Sequence, residues 1–460
     1  MSSRSVTIIS VRAQIVVGRM VNDIGIHRPW WAKMFKPKFF SASSTSEKDL
    51  NAMLQLLASR ESLRLIAREV SRLRVTNTPH TQAANRLRQG VKPELVDHYS
   101  IMVGANRENN ASNRYADIVP YDRTRVIVQW PSSTDTKTDE EENREGRYLN
   151  ANWVLERQGQ KWWIATQAPL RQTAHAFLSL ILQPNVCPSS ALLSSHSDSD
   201  DIQEPAKTSR VRTVVQLTQD IENGRRKADS YFPSNVGTSE SFLIPPEAGC
   251  DAPPLKVTLL ATKSIEHAHC IQSTVSIVPI YPPQLVDDDT AGDVDSKNPT
   301  DDEETVFQHL LYLSWPDHGV PNPEDRESLL AFIQLVESTN RDISLCTTHA
   351  ETSPDTCTVL DPDPPIMVGC SAGIGRTGTY IALSSLLRAS GFLPPATSPT
   401  PSSVLPASPL GPLPSDAVDD MVVQEIDSLR EQRPGMVQRP EQAALVYNVL
   451  ADVNTSKQKS

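Results

Sequence analysis

The sequence predicts one α/β domain of the α+β kind, a large mixed β-sheet flanked by helices, and three observations carry that expectation. Alternating or β-branched segments recur through the middle of the chain, as a sheet requires. Helical spacing of apolar residues marks an early segment and returns at the C-terminal end. Irregular stretches interrupt this order, but regular segments resume after each with no new start signal. They therefore read as insertions in one domain rather than linkers between several.

Taken in order, residues 47–74 place Leu50, Met53, Leu54, Leu57, Leu63, Ile66 and Val70 at i, i+3, i+4 spacing and are predicted to be helical up to Asn77-Thr78-Pro79. Strands are predicted at 125–130, 149–155, 162–165, 211–217, 256–261, 274–280 and 305–313. Residues 173–182 read as a helix. The apolar run 366–368 leads straight into a glycine loop, and 379–389 continues from it with helix formers. Two amphipathic helices follow, at 418–430 and 440–453. Disordered insertions are expected at 132–146, 187–209, 282–304, 343–365 and 390–415, within a domain spanning 46–455 and followed by a short tail, 456–460. Acidic runs such as Asp287-Asp288-Asp289 lack the glycine turn of a calcium loop and read as solvated loops.

Composition bounds the rest. A hydrophobic fraction of 38% and 36 prolines against 18 glycines leave room for one sizeable core plus irregular chain. Six scattered cysteines without paired spacing fit a reduced compartment better than a disulfide framework. No apolar run reaches the length of a membrane span, and no secretory signal pattern opens the chain. Residues 1–45 are basic; up to residue 40, Asp23 is the single acid. A disordered leader is preferred there over a mitochondrial presequence. The formal net charge is −11; residues 1–130 carry +10, so the remainder is strongly acidic, which excludes nucleic-acid binding by bulk charge.

Residues 368–378 read Val-Gly-Cys-Ser-Ala-Gly-Ile-Gly-Arg-Thr-Gly. A strand, a glycine-studded loop and a helix start form an anion site, because loop amides and the helix N-terminus converge with positive potential. Gly373 and Gly375 permit the tight backbone path. Arg376 offers a planar fork for two phosphate oxygens, and the same field favours the thiolate of Cys370, the nucleophilic form. A merely structural Cys370 leaves the glycines, the arginine and the hydroxyls of this loop unexplained. A second segment, Leu313-Ser-Trp-Pro-Asp-His-Gly-Val-Pro321, sets Asp317 on a proline-stiffened loop, where a carboxylic acid can protonate a departing phenolate.

With these residues the chain resembles the tyrosine-specific, soluble non-receptor family of cysteine-dependent protein phosphatases, in a fungal-like form with long insertions, from about Asn85 to Val453. The resemblance implies a highly twisted mixed sheet and phosphotyrosine hydrolysis through a cysteinyl-phosphate, with Cys370 as nucleophile and Arg376 as phosphate binder. Asp317 is implied as general acid and base, and Gln438 as the group that orients the hydrolytic water. By the same resemblance Tyr115 walls a deep slot, Asp117 holds the substrate backbone, and Lys227 stands beside the site. Ser371, Ala372, Gly373, Ile374 and Gly375 line the phosphate, Thr377 can donate to the cysteine sulfur, and Gln442 supports Gln438. No metal or cofactor is implied. Slot depth, which phosphoserine is too short to cross, implies tyrosine specificity.

The chain departs from the family pattern at Gly369, where histidine is usual, at Arg147, and in a helix 173–182 without the expected tryptophans. Gly369 motivates the alternative, a catalytically weak pseudophosphatase that binds phosphotyrosine. A phosphoinositide or dual-specificity enzyme needs a shallower pocket than Tyr115 allows. The implied partners are phosphotyrosine-containing proteins, mitogen-activated protein kinases among them, for a monomer in the cytoplasm or nucleus. His267-Ala-His-Cys270 is read as strand alternation rather than a zinc site. His318 is read either as an exposed loop histidine or as electrostatic support for Asp317. Ser398, Thr400 and Ser408, each before proline, are read as part of an unstructured insertion rather than a docking segment.

Overall fold

The computed structural model describes residues 47–75, 90–129, 146–184, 188, 209–281, 304–317, 319–345 and 360–459. The basic leader, His318 and most of four expected insertions lie outside the described residues.

The middle of the chain forms a nine-stranded sheet in the order β1-β2-β3-β11-β4-β10-β9-β8-β7. Its strands are β1 (Arg125–Val128), β2 (Arg147–Leu155), β3 (Trp162–Gln167), β4 (Thr213–Gln216), β7 (Phe242–Ile244), β8 (Leu255–Ile265), β9 (Cys270–Pro279), β10 (Thr305–Tyr312) and β11 (Ile366–Cys370). A separate hairpin pairs β5 (Ile221–Glu222) with β6 (Arg225–Arg226). Every expected strand is present. The four central strands β3, β11, β4 and β10 run parallel and the outer pairs antiparallel, so the sheet is mixed. All five residues of β11 are buried, which is why it reads as a continuous apolar run.

The longer helices are α1 (Glu47–Val75), α2 (Ala174–Leu182), α3 (Arg326–Arg341), α4 (Gly375–Ala389), α5 (Met421–Gln432) and α6 (Pro440–Lys459). Side chains alternate along β11: Ile366 and Val368 join the core beneath α3, α4, α5 and α6, whereas Met367 joins the core beneath α2. α3 carries no expectation above, although Leu329, Phe332, Ile333 and Val336 keep helical spacing and are buried.

Residues 390–415 correct one expectation. Instead of an unstructured insertion they form a docked strap: the Thr400 amide donates to the Gln160 carbonyl and Trp162 Nε1 donates to Thr400 Oγ1. Ser408 Oγ donates to Glu431 at 2.9 Å, and Arg60 donates to the carbonyls of Leu410 and Gly411. Composition missed this because prolines both mark loops and lower the entropy lost when a loop is pinned. The second correction is local. Residues 266–268 are a turn, with His269 left-handed at φ +42°, so His267 and His269 do not alternate along a strand.

Candidate active site

The parallel strands β3, β11 and β4 end side by side, and the crevice lies beyond their carboxyl ends, where open α/β sheets place ligands. Cys370 is the last residue of β11 and is 6% exposed. Residues 371–374 then turn into α4. Gly373 sits at φ +71°, and a Cβ there would come within 2.2 Å of the Thr166 carbonyl oxygen, so neither its conformation nor its surroundings admit a side chain.

Arg433 was not anticipated. It is fully buried beneath the loop, donating from Nε to the Gly373 carbonyl at 2.7 Å and from Nη2 to that of Ala372 at 3.1 Å. Asn150 and Asn152 of β2 accept its remaining hydrogen bonds. Each carbonyl turned toward Arg433 sends the next amide N–H the opposite way, as a trans peptide requires. Burial lowers the Arg433 pKa to about 10, against opposition from Tyr148 and Cys370. The short Arg-Pro-Gly run around it gave no signal of this contact.

Arg376, in the first turn of α4, is gripped by Glu222: Nη1 and Nη2 each donate to one carboxylate oxygen at 2.7 Å. Its Nη1 also donates to the Leu217 carbonyl. Burial works against the charged guanidinium, yet Glu222, Cys370 and Asp317 outweigh it and raise its pKa. Glu222 was likewise missed, since an acid on a two-residue strand carries no periodic signal.

Asp317 faces the same guanidinium, with Oδ1 at 3.3 Å from Nη2, and its Oδ2 lies 2.8 Å from Lys227 Nζ. Trp315, buried, anchors this loop by donating from Nε1 to the Gly319 carbonyl. On the other side of the crevice, Ser371 Oγ donates to the Lys227 carbonyl, so the Tyr115 hydroxyl 2.8 Å away donates to Ser371. Asp117 is exposed two residues further along the same loop.

Gln438, just before α6, and Gln442, in its first turn, press against the start of α4. A Cβ on Gly375 would meet Gln442 Nε2 at 3.0 Å and Gln438 Oε1 at 3.2 Å. Gly378 lets Val437 approach equally closely: its Cβ would lie 2.4 Å from the Val437 nitrogen. Thr377 is fully buried and its Oγ1 has no hydrogen-bond partner among the described residues. The structure thus gathers Cys370, Arg376, Asp317, Lys227, Tyr115 and the two glutamines around one crevice. Gly369 faces a small pocket of about 20 Å³, shared with Cys370, Phe177 and Tyr231. That is room for about one water. Among the described residues no group of three or more His, Cys, Asp or Glu side chains is placed to hold a metal ion. No described helix is long and apolar enough to cross a membrane.

A buried cysteine ending a central parallel strand, followed by a glycine loop and an arginine at a helix N-terminus, sets a thiol and a guanidinium together at the edge of a mixed sheet flanked by helices. The protein-tyrosine phosphatase family model matches residues 109–203 and 205–390, more than half of the chain, and the chain belongs to that family. Among relatives, mouse (Mus musculus) receptor-type tyrosine-protein phosphatase eta is 27% identical over 282 residues, 61% of this chain and 16% of its own length. Tyrosine phosphatase H2 of Microplitis demolitor bracovirus is 29% identical over 61% of this chain and 63% of its own. Human (Homo sapiens) tyrosine-protein phosphatase non-receptor type 9 is 26% identical over 80% of this chain and 46% of its own. The chain therefore spans about a sixth of the length of the receptor-type relative and less than two thirds of the other two. The crystal structure of the catalytic domain of human protein tyrosine phosphatase non-receptor type 18 is similar at a TM-score of 0.45 and 22% identity, covering 77% of this chain and 88% of that one.

Proposed function

We propose that this chain is an enzyme that hydrolyses phosphotyrosine in proteins by way of a cysteinyl-phosphate. The observation that carries the reading is the meeting of Asp317, Lys227 and Arg376 beside the loop that begins at Cys370, where Ser371 Oγ donates to the Lys227 carbonyl. The Cys370 thiolate attacks phosphorus, and the bond to the tyrosine oxygen breaks as Asp317 protonates that oxygen. Arg376 and the loop amides hold the equatorial oxygens, where fixed positive charge is most effective in a site of low dielectric. Water held by Gln438, with Gln442 behind it, then attacks the cysteinyl-phosphate while Asp317 takes its proton. Phosphate departs and the thiolate is restored. Tyr115 walls the slot and Asp117 holds the substrate backbone. Glu222 and Arg433 are positioning residues in this scheme, the first aiming Arg376 and the second turning the loop.

Residues 46–455 act in this proposal as one phosphatase unit, with a basic leader before it, and the protein works as a cytoplasmic monomer on phosphotyrosine proteins such as mitogen-activated protein kinases. The test is release of phosphate from a phosphotyrosine peptide by the purified chain without added metal, beside Cys370→Ser and a phosphoserine peptide. Release at the Cys370→Ser background overturns the enzymatic reading. Binding of the phosphotyrosine peptide without turnover would instead support the pseudophosphatase reading that Gly369 raises. Equal rates on phosphoserine overturn tyrosine specificity.

A further inference from the structure

The β5–β6 hairpin has one face turned to the crevice and one turned away. Directly opposed residues of an antiparallel pair share a face, and the register sets Glu222 opposite Arg225 and Ile221 opposite Arg226. Arg225 therefore stands on the same face as Glu222, whose carboxylate grips Arg376. Lys227, the residue after β6, reaches Asp317 from the same hairpin. Although it shares this face, Arg225 is exposed and has no hydrogen-bond or ionic partner among the described residues. Arg226 is exposed beside it, its Nη1 3.6 Å from Asp229. Asn223 at φ +51° and Gly224 at φ +71° close the hairpin as a tight type I′ turn, so the direction of this arm is set by the backbone.

The acids nearest in sequence do not neutralise Arg225: Asp229 pairs with Arg114 and, at 3.6 Å, with Arg226. Glu222 is engaged by Arg376, and Asp220 accepts from Ser230 and Gln216. An unpaired guanidinium at the rim of a phosphate site is a fork for a carboxylate.

We propose that Arg225 selects phosphotyrosine segments carrying Asp or Glu next to the phosphotyrosine. The inference rests on the phosphotyrosine reading above and adds a substrate class to it. The attraction acts on binding, so it appears in KM rather than kcat.

Two phosphotyrosine peptides, identical except for Asp and Glu or Lys at the flanking positions, test it, with p-nitrophenyl phosphate as a substrate that has no flank. At about 0.01 M salt the acidic peptide is expected to be favoured in kcat/KM by about two- to five-fold, the size of one exposed ion pair. The preference should vanish at about 1 M salt, where the screening length is about 3 Å. Arg225→Glu should invert the ratio and Arg225→Gln bring it close to one. Each ratio compares two peptides on one protein, so a general loss of active enzyme cancels. A wild-type ratio of one, or an unchanged ratio in Arg225→Glu, overturns the inference while the phosphatase reading stands. No turnover of any substrate, p-nitrophenyl phosphate included, overturns the phosphatase reading and this inference with it.

Discussion

The two ends of the same parallel strands each hold a cluster of buried charges, and the clusters behave differently. At the amino ends of β3 and β11, Lys161 pairs with Glu337 and Asp363, and Arg388 pairs with Glu156 and Glu337. These side chains are 0–4% exposed. At the carboxyl ends, Arg376, Glu222, Asp317 and Lys227 pair with one another at 8–10% exposure. The sealed cluster is held by helices and strand ends. In the crevice, Asp317 lies on a loop, and Glu222 and Lys227 flank a hairpin turn. An ion pair carried on a loop can be exchanged for a phosphate, whereas one locked between packed helices cannot. The difference lies in the backbone that carries the charges, because the residue types are the same.

The largest effect expected from this contrast is at the open end. Arg376→Ala should lower kcat on a phosphotyrosine peptide by about 10³- to 10⁵-fold, the range for an arginine that stabilises a transferring phosphoryl group. Thermal denaturation should change little, since the sealed cluster is untouched. Asp317→Ala comes next, with a loss of about 10²- to 10⁴-fold in kcat and retained peptide binding. Peptide binding lost together with kcat would mean that Asp317 holds the crevice together instead of moving a proton.

Changes at the sealed end should reverse this pattern. Arg388→Ala strands the buried Glu156, while Glu337 keeps Lys161, and should cost about 3–5 kcal/mol of stability, read by urea unfolding. The folded fraction should keep its kcat. A kcat loss in that fraction as large as the Arg376→Ala loss would erase the distinction between the two ends.

The smallest effect concerns Glu425, fully buried on α5 beside the sealed cluster. Burial pushes its pKa up to about 8, with Glu156 adding to the shift. The folded protein therefore keeps a proton that the unfolded chain releases near the ordinary glutamate value. Stability from this group falls as pH rises from about 4.5 toward 8. Glu425→Gln should thus stabilise the protein little at pH 5 and by about 1 kcal/mol or more at pH 8. A gain independent of pH would show that the carboxyl is ionised throughout.

Much of this was legible in the sequence, for identifiable reasons. Strand alternation and helical spacing are local, so each expected strand and helix is present, and α3 went unremarked despite carrying the same pattern. Cys370, Gly373 and Arg376 are also local, because a strand end, a tight loop and a helix start follow one another within seven residues. The strap at 390–415 was misread because composition records flexibility of the free chain and not what Glu431, Arg60 and Trp162 offer it.

By itself, then, the sequence determined the glycine loop after Cys370, the strands that lead to it and the family to which the chain belongs, since these depend on neighbours in the chain. Tertiary structure alone decided that Glu222 grips Arg376, that Arg433 bonds the loop carbonyls from below, and that Arg225 stands at the rim without a partner among the described residues. Those contacts join residues 60 to 154 positions apart or depend on strand register, and a side chain's partner across such a gap is set by packing, which no local pattern encodes.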